Sequence, residues 1–177
     1  MTDNATPASS YVGIPQRLDF DALAPVFSRA VSALDDAAIG ETDRAGIDPP
    51  LRELVRLRAS QLNGCAYCVD LHSRDAETRG VTRQRVDAVA IWRDSPFFTA
   101  AERAAFELTE SITRLSETHV PDAVVADARA HFTEQQLAAL IALIVTINVW
   151  NAIGVTTRCW TPTLRPAAPA PAATPAG

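Results

Sequence analysis

Hydrophobic positions along the chain recur at steps of three and four, and period-two alternation is almost absent, so the pattern predicts helices throughout. Phe20, Leu23, Phe27, Ala30, Val31 and Leu34 form the apolar stripe of a first amphipathic helix. A loop is expected at Gly40 and the polar run behind it. Pro49 and Pro50 suit the first turn of a second helix, with Asp48 as its cap, running to about Leu62. Asn63-Gly64 breaks the pattern, and a third helix starts near Cys65 and closes at Gly80. Thr82 caps a fourth helix reaching Trp92. Thr99 with Glu102 is a capping box that opens a fifth helix carrying Ala105, Phe106, Leu108 and Ile112. Pro121 opens a sixth, and a second capping box, Thr133 with Gln136, opens the longest helix, to about Thr157. The fold class expected is all-α, about seven helices over residues 18–160. A flexible segment, 1–17, precedes it, and a Pro/Ala-rich tail, 161–177, follows without the apolar side chains to build a core.

The last helix is apolar nearly all round between Leu137 and Val149, which predicts burial on every side, part of it supplied by another subunit. The longest apolar stretch, Leu137 to Trp150, is interrupted by Thr146 and Asn148 and is too short to span a bilayer. Met1 to Ser10 is polar and lacks the apolar region that export requires, so a cytoplasmic protein with no membrane partner is expected. The 177 residues suffice for one domain with a real core. A net charge of -5 and a pI near 5.1 give a nucleic-acid partner little support. Three cysteines, an odd number in a reducing compartment, do not make a disulfide framework. Two of them in a C-x-x-C suggest redox or metal chemistry instead.

At about 100° per residue, Cys65, Cys68 and His72 share one narrow face of the third helix. Cys65 and Cys68, at i,i+3, are close enough to join in a disulfide, and Cys68 and His72, at i,i+4, can approach each other. Unpaired amides and the helix dipole in the first turn favour a thiolate, the nucleophilic form, which requires a pKa below the ordinary value of about 8.5. His72 can assist as a base or as a neighbouring cation. The arrangement suits attack on an electrophilic oxygen or sulfur followed by closure of a disulfide. Two other readings stand beside this one. A zinc half-site needs further ligands, and Cys159, His119 and His131 are scattered along the chain. Alternatively, both thiols are inert core residues. The missing βαβ pattern argues against a thioredoxin fold.

Glu53, the C-x-x-C pair Cys65 and Cys68, and, after three intervening residues, His72 resemble the signature of the AhpD-like alkylhydroperoxidases of the carboxymuconolactone decarboxylase family. The runs Asn63 to His72, Trp92 to Phe98 and Ile147 to Asn151 resemble the family too. The resemblance implies an all-helical fold, a homo-oligomer (dimer, trimer or hexamer) and reduction of a hydroperoxide substrate with no cofactor or metal. It implies that Cys68 is the peroxidatic cysteine, that Cys65 resolves it to a disulfide, and that Glu53 and His72 form a proton relay. It also implies a reducing dithiol protein, lipoyl-bearing or thioredoxin-like. Periodicity alone favours Glu53 as a surface residue paired with Arg56, opposite the Leu51, Leu54, Val55 and Leu62 face, and leaves open that its shared face with Leu57, Ser60 and Gly64 packs on the cysteine helix. Some AhpD proteins carry histidine between the cysteines; here the position is Tyr67, a poorer base. True decarboxylases of the family lack the cysteine pair, which disfavours decarboxylation. Two other functions are open: thiol–disulfide exchange with little peroxidase activity, and a helical binding protein with a vestigial site.

Elsewhere, Cys159 is expected as a packed thiol and His119 and His131 as solvated or capping side chains. Trp92, Trp150 and Trp160 are expected in packing, and Arg83, Arg85 and Arg93 as helix-surface charges.

Overall fold

The computed structural model describes residues 12–164, so most of the expected N-terminal segment and tail lies outside the described residues. Among the described residues there are nine α-helices, one 3-10 segment and no strand. The expected first helix is two: α1, Phe20–Leu23, capped by the Asp19 side chain, and α2, Pro25–Arg44, with proline in its first turn. α2 runs straight through Gly40, where a loop was expected. One glycine costs a helix only about 1 kcal/mol, and the chain turns instead at Gly46, whose φ of 69° suits glycine.

α3 spans Pro49–Asn63, with Asp48 in the cap position but without a side-chain capping bond. α4 spans Ala66–Thr78, and Gly80, at φ 88°, closes it as expected. The expected fourth helix is broken in two, α5 (Arg83–Ala88), capped by Thr82, and the 3-10 segment Val89–Asp94, inside which Ile91 is out of helical geometry. α6 (Ala100–Thr113) and α9 (Glu134–Thr157) both begin with the capping boxes read from the sequence. Between them lie α7 (Leu115–Thr118), which was not expected, and α8 (Asp122–His131), which follows Pro121.

α3 is packed among α4, α6 and α9 and feeds both halves of the core. Leu51 and Val55 join Leu108, Leu140, Leu143 and Ile144, while Leu54 and Leu57 join Val89, Trp92, Phe98 and Phe106. This central position buries nearly every side of the helix, its polar residues Glu53, Arg56 and Ser60 included.

α2 departs from the expected burial. It buries Val31 of the expected stripe together with Ala38 and Thr42, whereas Leu23 (from α1), Phe27 and Leu34 face outward at 67%, 55% and 46% exposure. The small inward residues let the α2 backbone pack closely on α9. α9 likewise is not covered all round, since Ile141, Val145 and Val155 are exposed. Contrary to the sequence expectation, its 24 residues are long and apolar enough to cross a membrane, although half of its most apolar window is buried within this fold.

Arg93 and Arg85 are more than surface charges. The buried Glu110 carboxylate on α6 accepts hydrogen bonds from Trp92 Nε1, Arg58 Nε and Arg93, each at 2.7 Å. The Arg93 guanidinium also lies 4.3 Å from the Trp92 ring centroid. Arg85 pairs with Glu102 and donates to the Phe97 carbonyl at 3.1 Å. These contacts tie α3, the 3-10 segment and α6 together.

Candidate active site

The turn into α4 sets the thiols. Gly64 adopts φ 69°, its N–H reaches the Gln61 carbonyl at 3.3 Å, and the Cys65 N–H reaches the Ser60 carbonyl at 3.0 Å. This is the two-bond termination that glycine makes available at a helix end. It reverses the chain within two residues and delivers Cys65 as the cap of the next helix. A ladder of amides fixes the turn against α9: Asn63 Nδ2 donates to Asn148 at 2.8 Å and to Asn151 at 3.0 Å, and Asn151 Nδ2 donates to Ser60 Oγ at 3.1 Å.

Cys65 Sγ accepts the N–H of Cys68 at 3.4 Å, taking the part of an N-cap side chain. The two cysteines are joined by a disulfide, with Cα atoms 5.3 Å apart, and both are buried. Gly154 of α9 passes directly behind the bond. A Cβ there would lie 3.2 Å from Cys65 Sγ and 3.3 Å from the Trp160 ring, so a side chain would fit only if these neighbours gave by a few tenths of an ångström.

Glu53 is brought from α3 to the same place. Its Oε2 lies 2.9 Å from His72 Nδ1, and both side chains are buried. The periodicity reading of a surface glutamate is overturned because α3 has no solvated side here. Arg56 is indeed beside it, at 3.9 Å, but is itself buried and bonded to Asp35 at 2.9 Å. Burial alone would raise the Glu53 pKa. The hydrogen bond and charge of His72, with the charges of Arg56 and Arg79, outweigh that effect and hold it below the ordinary 4.5. Glu53 is therefore a carboxylate at neutral pH. It accepts the Nδ1 hydrogen of His72, which leaves Nε2 to take up or deliver a proton.

Cys68 and His72, but not Cys65, line a cavity of about 470 Å³. Its wall includes Tyr67, Trp150 and Trp160, and Asp21, Asp35, Arg56 and Asp75 also face it. Trp160 follows α9 and folds back over the site. Its ring centroid is 5.9 Å from Tyr67 and 5.4 Å from Trp150, and its Nε1 donates to Asp21 at 2.8 Å. Trp150 and Trp160 thus form part of the site, whereas Trp92 is a core residue. Tyr67, the departure from the histidine-bearing pattern, is part of this aromatic wall.

The sequence reading missed Asp75, although spacing signals it: Cys65, Cys68, His72 and Asp75 fall at steps of three, four and three on one helical face. Potential ligand atoms of Glu53, His72 and Asp75 lie within 4.8 Å of one another, the closest approach to a cation-binding set. With Nδ1 engaged by Glu53, Nε2 is the nitrogen of His72 left for a ligand or a proton. The other zinc candidates are elsewhere: Cys159 is free and half-buried, His119 ends α7 at φ 52°, and His131 is exposed at the end of α8.

Residues 25–111 match the model of the carboxymuconolactone decarboxylase family. An uncharacterized protein of Bacillus subtilis (strain 168), YdfG, is 40% identical over 64% of this chain and 78% of its own length. A crystal structure from Agrobacterium tumefaciens, of a protein of unknown function linked by name to the antioxidant defence protein AhpD, is 32% identical. It covers 85% of this chain and 100% of its own, with a TM-score of 0.79. The AhpD core of a peroxidase-related protein from Ralstonia eutropha JMP134 matches with a TM-score of 0.69 over 79% of this chain and 73% of its own. At 23% identity that likeness speaks for the fold.

Proposed function

Because the chain belongs to the carboxymuconolactone decarboxylase family, and within it carries a dithiol pair beside a buried Glu–His couple, we propose that it is a thiol-dependent peroxidase cycling between a Cys65/Cys68 dithiol and their disulfide. The observation that carries this reading is that one cavity holds Cys68 and His72, with Glu53 behind His72 and Cys65 bonded to Cys68.

In the reduced protein, Cys68 gives its proton to His72 Nε2, and the Cys68 thiolate attacks the terminal oxygen of ROOH. The O–O bond breaks, and its electron pair leaves on the alkoxide, which His72 protonates to ROH. Cys68 is then a sulfenic acid. The Cys65 thiol attacks it, the S–S bond forms, and water leaves with the hydroxyl and the thiol proton. Glu53 keeps His72 in the tautomer this needs and balances the imidazolium charge. A partner dithiol, lipoyl-bearing or thioredoxin-like, reduces the disulfide by exchange and is itself oxidised to a disulfide. We place the cycle in the cytoplasm, where such reductants keep thiols reduced. Adding one equivalent of an organic hydroperoxide to fully reduced protein should consume two titratable thiols and release one equivalent of alcohol. Persistence of all three thiols would refute the reading.

The outward apolar rows support an assembly. Leu23, Phe27 and Leu34, and on α9 Ile141 and Val145, recur at steps of four or one heptad and are exposed in the single chain, as faces that seat another helix are. We propose that a second copy of this chain covers them. Light scattering should give wild type a multiple of the chain mass, and Phe27→Glu or Val145→Glu should shift it toward the monomer. A monomeric wild type would contradict this.

A further inference from the structure

We propose that the cavity over Cys68 is a site for neutral ligands with an aromatic or bulky alkyl body, and that its carboxylates exclude anions. The proposal rests on the peroxidase reading only for the name of the substrate class; the binding preference stands on the cavity itself. Its volume, about 470 Å³, is that of a small-molecule pocket and far exceeds what hydrogen peroxide would fill. The aromatic wall of Tyr67, Trp150 and Trp160 supplies stacking surface for a ring.

The charges facing the cavity do not cancel. Arg56 is spent on Asp35 at 2.9 Å, with Glu53 at 3.9 Å. Any positive charge on His72 is balanced by Glu53 behind it. Asp21 is held by neutral donors, Ser28 Oγ at 2.6 Å and Trp160 Nε1 at 2.8 Å, so its charge is oriented but not neutralised. Asp75 has no cationic partner at ion-pair distance among the described residues. Two uncompensated negative charges therefore look onto the approach to Cys68. A ligand carrying a carboxylate meets like charge across the cavity and loses hydration with no unpaired guanidinium to replace it. The hydroperoxides favoured are neutral aryl or alkyl ones rather than ionised fatty-acid hydroperoxides. The same field favours amide-linked lipoyl groups over anionic thiols among reductants that enter by this route.

The test separates binding from turnover. Cumyl alcohol and its para-carboxylate are titrated into the oxidised wild-type protein at low salt, with quenching of Trp150 and Trp160 fluorescence as the signal. The neutral alcohol should bind saturably, and the carboxylate about tenfold more weakly. The gap should narrow several-fold in Asp75→Asn and at high salt. Equal affinities, tighter binding of the anion, or no saturable binding of either would overturn the proposal. The matching pair of hydroperoxides is assayed in parallel. Selective binding of the alcohol with neither hydroperoxide consumed would remove the peroxidase reading and leave this inference standing. Turnover of both at equal kcat/KM, with equal binding of the alcohols, would do the reverse.

Discussion

Cys68→Ser is expected to lower hydroperoxide consumption with a dithiol reductant by about 10³-fold or more, because a neutral hydroxyl replaces the one thiol that, among the described residues, shares the cavity with His72. The exchange is nearly isosteric. Position 68 stays the third residue of α4 and keeps the backbone N–H that Cys65 caps. The loss should therefore appear in kcat with the helical circular dichroism unchanged. Cys65→Ser should behave differently. It retains the attacking sulfur and loses the resolving one, so a first turnover survives while the steady state fails. Steady-state consumption of an organic hydroperoxide by the three proteins, together with a single-turnover burst, checks both outcomes. A Cys68→Ser protein as active as wild type would place the chemistry elsewhere.

Glu110→Ala should be the most destabilising single change outside the apolar core, by about 3–5 kcal/mol, since it strands the cations and the indole N–H that converge on one buried carboxylate. In a chain of this size that corresponds to a fall in Tm of about 10 °C. The same group sets an acid limit. Burial alone would raise its pKa, but hydrogen bonds from Trp92, Arg93 and Arg58 and the charge of Arg58 hold it below the ordinary 4.5. Glu53 is shifted the same way. A carboxylate whose pKa is lower folded than unfolded contributes stability that is complete above the unfolded value. That stability is lost as pH falls through the folded one. Denaturation midpoints should thus fall off below pH 4.5 in wild type and less steeply in Glu110→Ala. A variant as stable as wild type would show that the cluster does not hold α6 to the 3-10 segment.

What the sequence disclosed followed from locality. The two capping boxes, the glycine ends at Gly64 and Gly80, and the shared face of Cys65, Cys68 and His72 depend only on neighbours within one or two turns, and each stands in the structure. Glu53 was legible only through the resemblance, because its burial is decided by α4, α6 and α9 packing on every side of α3, and periodicity assumes one solvated face. The same assumption sent Leu23, Phe27 and Leu34 inward along with Val31, whereas the structure buries Val31 with the smaller Ala38 and Thr42. Trp160 and Asp21 stand 139 positions apart in the chain, so no spacing rule brings them to one cavity. Arg93 and Glu110 meet across two elements for the same reason.

The most direct measurement is to trap the first intermediate. Reduced Cys65→Ser protein is given one equivalent of an organic hydroperoxide in the presence of dimedone, and the adduct is mapped by intact mass and peptide sequencing. Transfer of an oxygen atom to Cys68 predicts one adduct per chain, at that residue. An unmodified Cys68, or label confined to Cys159, would contradict it.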